Sequence, residues 1–339
     1  MSEMRTDVAI IGAGPVGLFA VFECGMLKMR CHVVDALDMA GGQCAALYPE
    51  KPIYDIPGHP RIDAIDLVER LKEQAAPFAP TYHLGARVET LAQRGDDWEL
   101  VTSRGDRIVA RAVIVAAGVG AFGPNRPPVA RLAEFEQDCV HYLVKRREEF
   151  RGKRLVIAGG GDSALDWTLS LAGIAAHVDV VHRRDKFRAA PDTVEKVRAL
   201  AASAGNVDIV TPYQLDSLEG AGGRLEAVVV KDLDGGTRRL PADHLLAFFG
   251  LAQNLGPIAE WGLSLDRSLV KVDPATCATS SPGIHAIGDI ATYPGKLKLI
   301  LTGFAEAASA AHAIHARVHP GAALHFEYST SKGISGFAA

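Results

Sequence analysis

What this 339-residue sequence has little of narrows its chemistry before any motif is considered. It holds five cysteines, Cys24, Cys31, Cys44, Cys139 and Cys277, an odd number without framework spacing and with no Cys-x-x-Cys. That pattern suits reduced thiols in a reducing compartment and removes the simplest dithiol chemistry. Neither sign of charge dominates: 36 Lys and Arg against 40 Asp and Glu leave a net charge of -4, with no basic stripe for nucleic acid or an anionic membrane. No apolar run approaches membrane-spanning length, and Met1 to Asp7 carries no apolar signal region. A cytoplasmic protein with neither a nucleic-acid nor a membrane partner is expected, and no metal site is assigned.

What is present is an ordinary globular composition, 48% hydrophobic and 22% charged, on a chain long enough for two domains with full cores. Its organising stretch is Val8-Ala9-Ile10-Ile11-Gly12-Ala13-Gly14-Pro15-Val16-Gly17-Leu18, read as a buried strand turning through glycine into a helix. Gly12 allows the tight turn, Gly14 lets a pyrophosphate approach the backbone, and Gly17 lets the helix pack closely on the sheet. The phosphates would sit at the helix N-terminus, where free N–H groups favour negative charge. A second strand, Cys31 to Val34, ends in Asp35, placed to accept from a ribose hydroxyl. The loop Gly41-Gly42-Gln43-Cys44-Ala45-Ala46-Leu47-Tyr48 follows. It turns the chain and, if the dinucleotide is a flavin, offers it an amide in Gln43 and a stacking ring in Tyr48.

Further along, Ala64 to Ala75 has helical spacing, with Ile65, Leu67, Val68 and Leu71 expected to be buried. Ala86 to Leu91, Trp98 to Thr102 and Arg107 to Ala110 read as a β-meander, and Val113 to Val115 as a separate return to a parallel sheet. Gly118 and Gly120 mark a domain exit. Strand, glycine turn and helix then recur at Leu155 to Leu171, through Gly159-Gly160-Gly161-Asp162-Ser163-Ala164, with Ala164 in the place of the third glycine. The next strand ends in His182-Arg183-Arg184 with Arg188 and no acid. Arginine there favours a 2′-phosphate, so this site is expected to prefer NADP over NAD. Val207 to Val210, Leu225 to Lys231 and His244 to Phe249 are further strands. Pro282 to Ile290 is a short apolar strand ending in Gly288-Asp289, followed by a helix from about Gly303 to His315.

These motifs, in this order, resemble the thioredoxin-reductase-like flavoproteins with two dinucleotide-binding domains. The departure is at Cys139-Val140-His141-Tyr142, where thioredoxin reductase has Cys-x-x-Cys. One thiol cannot pass two electrons by dithiol exchange, so Cys139 reads as a small buried hydrophobe. Ala46-Leu47-Tyr48-Pro49-Glu50-Lys51, Gly161 to Trp167 and the C-terminal Tyr328-Ser329-Thr330-Ser331 look like the thioredoxin-reductase-type ferredoxin:NADP⁺ reductases. The resemblance implies an α/β fold of two Rossmann-like three-layer nucleotide-binding domains. Residues 1–118 and 249–339 would bind FAD and supply a C-terminal flavin-covering extension; 119–248 would form the inserted NADP(H) domain. It implies FAD on Gly12, Gly14, Pro15, Gly17, Asp35, Gly42, Gln43, Tyr48, Val88, Phe122, Asp289 and Thr330. Tyr48 and Tyr328 would face the flavin ring from its two sides. NADP(H) is implied on Gly159, Gly161, Asp162, Ser163, Ala164, His182, Arg183, Arg184 and Arg188. The implied assembly is a homodimer and the implied partner a ferredoxin, for which Lys145-Arg146-Arg147 with Arg151 and Lys153 is a candidate docking patch. The competing readings are a disulfide reductase with an unrecognised thiol pair, an NADPH oxidase or diaphorase, a flavin monooxygenase, and an NADPH-sensing module without turnover.

Overall fold

The strand Glu3–Ile11 lies in the middle of a seven-stranded sheet because its second half is apolar on both faces, the pattern of a strand covered on two sides. Val8 and Ile10 pack into one core layer and Ala9 and Ile11 into the other. The computed structural model describes residues 3–136, 138–203 and 205–324, without the side chains of 121–124 and 251–253. It divides into two units, Met1–Phe122 with Gln253–Ala339, and Gly123–Ala252. The crossings fall after 122 and 252, four residues beyond those expected from the glycines.

In the discontinuous unit, Thr81–Leu84, Cys31–Asp35, Glu3–Ile11 and Arg107–Val115 are parallel neighbours. Arg107–Val115 is one nine-residue strand where the sequence suggested two. Its first half pairs antiparallel with Asp97–Thr102 of the meander, and its second half pairs parallel with Ile284–Ala286. A single strand can serve both because its two halves use the same edge in succession. The helices Pro15–Met26 and Ile300–Val318 cover one face of this sheet. They approach closely at Gly303, where an added Cβ would lie 2.4 Å from the Val16 side chain. The second of these helices is longer than the expected Gly303 to His315, gaining three residues at each end. The helix Ala64–Ala75 keeps its expected bounds, but Ile65 is only half-buried and Ala64 and Ala75 complete the buried stripe with Leu67, Val68 and Leu71.

The continuous unit carries a five-stranded parallel sheet in the order Val140–His141, His244–Ala247, Arg154–Ala158, His177–Val181, Val207–Val210. One of its faces is covered by the helix Asp162–Ala172 and the helix Pro191–Ser203. The other packs on an antiparallel sheet of Gln214–Ala221, Arg224–Lys231 and Thr237–Pro241. The outer two of those strands were not evident in the sequence; in Thr237–Pro241 only Leu240 is buried, so no alternation marks it. The two units thus repeat one theme, a parallel sheet with helices packed on it.

Candidate functional site

The first glycine turn separates its glycines by what a side chain would strike. A Cβ on Gly12, whose φ is +110°, would meet the Ala116 carbonyl oxygen at 2.3 Å, and one on Gly17 would meet the Gly12 oxygen at 1.9 Å. These two are required by the packing of strand against helix. A Cβ on Gly14 would meet nothing closer than Gly42 Cα at 4.0 Å, so its backbone stands open to the cleft. Gly14 is the N-cap of the helix Pro15–Met26 and no side chain caps it. Its first free N–H groups remain available to an anion.

The cleft encloses about 370 Å³ and is lined by Gly12, Gly14, Pro15, Asp35, Gly42, Gln43, Tyr48, Val88 and Asp289. Asp35 accepts from the Ala13 N–H at 2.6 Å through one oxygen and from the Leu37 N–H at 2.8 Å through the other. Burial raises its pKa and the two backbone donors oppose the rise. Each carboxylate oxygen retains a second lone pair for a ligand hydroxyl. Gly41, at φ +118°, starts the short helix Gly42–Ala46 that carries Gln43 to the cleft. Tyr48 follows it, with Lys51 Nζ 5.9 Å from its ring centre and Cys44 Sγ 3.9 Å from its hydroxyl. Burial pushes the Cys44 thiol up to about 11, so it is neutral and a poor nucleophile.

Sequence reasoning missed the side of the cleft built from the returning segment: Leu255, Gly256, Pro257, Ile258 and Trp261, and Ile300 at the start of the last helix. No motif marks them, because they contribute shape and apolar surface. Of the other expected flavin residues, Gly17 sits under the turn as packing. The side chain of Phe122 and the residues Tyr328 and Thr330 lie outside the described residues.

In the continuous unit, the same distinction separates the second set of glycines. A Cβ on Gly159, at φ +153°, would reach the Phe248 oxygen at 2.7 Å, and one on Gly160 would reach the His182 ring at 2.3 Å. Around Gly161 there is nothing within 4 Å. Gly161 is the uncapped N-cap of the helix Asp162–Ala172, with Asp162 and Ser163 exposed at its start and Ala164 buried. His182 lies flat on Gly160 and stacks with Phe187 at 5.4 Å between ring centres. Burial, then Arg188 and Arg183, lower its pKa, so the imidazole is neutral near pH 7. Its buried Nε2 has no hydrogen-bond partner among the described residues.

The arginine loop is tied back to this turn, for the Arg188 N–H donates to the Gly160 carbonyl at 2.7 Å and the Ala190 N–H to Asp162 Oδ1 at 2.8 Å. Arg183, Arg184 and Arg188 are exposed and form no ion pair with the described residues. Three unneutralised guanidinium groups beside a bare helix N-terminus are a site for a multiply charged anion. The candidate docking patch is different. Arg146 pairs with Glu149 at 2.7 Å, Arg151 with Glu148 at 2.8 Å, and Arg147 donates to the Ser170 carbonyl. It has less free positive charge than its sequence implied.

All five cysteines are buried and free. Cys139 donates to the Gly223 carbonyl at 3.3 Å and packs in the core, as a structural thiol does. No helix among the described residues is long and apolar enough to cross a membrane.

Comparison with known proteins places this geometry. The family model of the pyridine nucleotide-disulphide oxidoreductases matches residues 6–314. A ferredoxin–NADP reductase of Paramagnetospirillum magneticum is 64% identical over 98% of this chain and 99% of its own length. One from Rhodospirillum rubrum is 61% identical over 99% and 98%. Among solved structures, thioredoxin reductase of Lactococcus lactis matches 92% of this chain and 99% of its own with a TM-score of 0.79 at 22% identity. The T. acidophilum enzyme matches 92% and 98% with a TM-score of 0.80 at 22% identity. At such identity these two speak for the fold alone.

Proposed function

The chain belongs to the pyridine nucleotide-disulphide oxidoreductase family, and on that footing we infer that it is a flavoenzyme carrying electrons between NADP(H) and ferredoxin. The observation that carries the choice of partner is the state of the thiols. The one cysteine lining the first cleft, Cys44, is buried and neutral, and Cys139 is locked in a core. A thiol-disulfide reductase needs a reactive pair there. The relatives above 60% identity, matched over nearly their whole length, are ferredoxin–NADP reductases, which supports the same choice.

The residues fit the two groups. FAD suits the first cleft, where Gly14 and the open helix N-terminus would take the pyrophosphate and Asp35 a ribose hydroxyl, with Pro15, Gly42, Gln43, Val88 and Asp289 lining the remainder. Flavin, when bound, accepts one hydride, an electron pair, and releases its two electrons singly, which joins a two-electron donor to a one-electron carrier. Such an exchange requires no acid, base or nucleophile from the chain. Its residues orient, exclude water and shape: Tyr48 offers one aromatic face, and Tyr328, by resemblance, the other. At the second site Gly161, Asp162, Ser163 and Ala164 receive the pyrophosphate of NADP(H), Arg183, Arg184 and Arg188 its 2′-phosphate, and His182 supplies the flat wall and an unsatisfied ring nitrogen. We propose further that the discontinuous unit, Met1–Phe122 with Gln253–Ala339, is the FAD domain and the continuous unit, Gly123–Ala252, the NADP(H) domain, and that the enzyme is a cytoplasmic homodimer.

The purified flavoprotein is expected to reduce ferredoxin with NADPH, followed by cytochrome c reduction, and to leave thioredoxin disulfide unreduced. Flavin reduction with no ferredoxin-dependent rate would overturn the assignment. Replacing Arg183 and Arg184 together by alanine is expected to raise the KM for NADPH by about 10-fold to 100-fold, from the loss of one or two charge-assisted hydrogen bonds, and to leave that for NADH within about twofold.

A further inference from the structure

One buried carboxylate lies behind Asp289 and is used by neither nucleotide site. Glu306 is the seventh residue of the helix Ile300–Val318 and is 4% exposed. Its Oε2 accepts the Gly288 N–H at 2.7 Å, and its Oε1 accepts the Tyr293 hydroxyl at 2.6 Å. Oε1 also receives Lys296 Nζ, whose side chain, like that of Glu306, is 5% exposed. Lys296 in turn stands 5.6 Å from the centre of the Tyr293 ring.

The three donors come from both ends of a single loop. Gly288 opens it, at φ +74°, and Tyr293 and Lys296 close it. The Gly288 N–H is buried and needs an acceptor within the protein. Glu306 is that acceptor. By gathering both ends of the loop onto one helix, it sets where Asp289 lies relative to Ile300, the first residue of the same helix, and both line the cleft. A charged pair buried this deeply is a poor source of stability by itself, which leaves the geometry it imposes as its distinguishing effect.

We propose that Glu306 is a positioning residue for the flavin cleft, holding Gly288 and Asp289 in place through the Gly288 N–H. The proposal deepens the FAD reading of that cleft and rests on it. Two double variants separate the Gly288 contact from the charge pair. Lys296→Met with Glu306→Gln removes both charges and keeps a carbonyl acceptor for Gly288; Lys296→Met with Glu306→Leu removes the acceptor as well. Apoprotein of each is titrated with FAD by fluorescence quenching, and with NADP⁺ by calorimetry to establish that the other unit is intact.

The glutamine double variant is expected to keep its FAD Kd within threefold of the parent, and the leucine one to lose tenfold or more, with NADP⁺ affinity unchanged in both. Equal FAD affinities in the two would overturn the proposal, whether both are tight or both weak. If neither double variant folds, Lys296→Met alone, which leaves the carboxylate on Gly288, serves: less than threefold change is expected, and a tenfold loss assigns the hold to the charge pair instead. Asp289→Ala tests the underlying reading separately, since an unchanged FAD Kd in that variant removes Asp289 from the flavin site whatever Glu306 does.

Discussion

At the scale of single residues, His141 and His244 share a ring-to-ring contact of 3.0 Å, with Phe150 edge-on to both. Burial, then the neighbouring His244, holds His141 down at about 4 from an ordinary value of 6.5. Burial lowers His244 as well. A histidine whose folded pKa is depressed contributes its full stability above pH 6.5 and loses it as pH falls towards 4, because the unfolded chain takes the proton first. Thermal unfolding followed from pH 7.5 to 5.0 is therefore expected to show a falling Tm. His141→Gln is expected to reduce that fall by a few degrees without abolishing it, since His32, His83 and His285 shift the same way. An unaltered slope would remove His141 from the cause.

At the scale of elements, the two strand-turn-helix units distinguish glycines that hold the fold from glycines that admit a ligand. Gly161→Ala places a methyl where nothing lies within 4 Å, at an ordinary negative φ of -100°. Apoprotein Tm is expected to stay within about 1 °C, in keeping with surface substitutions of small effect, while KM for NADPH rises tenfold or more because the methyl occupies the path of the phosphates. Gly17→Ala is the opposite case. Its Cβ would lie 1.9 Å from the Gly12 oxygen, so the turn must open and the protein is expected to be recovered without flavin or insoluble, as absorbance at the flavin band would report. The glycine spacing and the separate roles of Gly12, Gly14 and Gly17 were legible in the sequence, but the atoms that each one faces were not. Those depend on the backbone that packing brings opposite each glycine.

At the scale of the whole molecule, the continuous unit Gly123–Ala252 has two core layers of its own, on the two faces of its parallel sheet. Expressed alone, it is expected to unfold cooperatively in urea and to bind NADP⁺ without flavin. Non-cooperative unfolding would show that its cores depend on the rest of the chain. The discontinuous unit has no such independence in sequence, because Ile284–Ala286 must return from beyond the insertion to pair with Arg107–Val115.

By itself the sequence determined two nucleotide-binding turns, the acid after one and the arginines after the other, and the lack of a dithiol. These are local properties, set by the few residues that shape a turn or end a strand, and a single glycine spacing or charge reports each. The sequence left undetermined which thiols are accessible, that Arg146 and Arg151 are neutralised by their neighbours, and that Ile300 and Trp261 complete the first cleft. Nor did it mark Glu306, an acid within an alanine-rich helix, as the acceptor for a turn eighteen residues earlier. Such facts depend on which segments meet. Burial and hydrogen bonding between distant stretches are decided by the packing of the sheet and its helices, and only the tertiary structure contains that information.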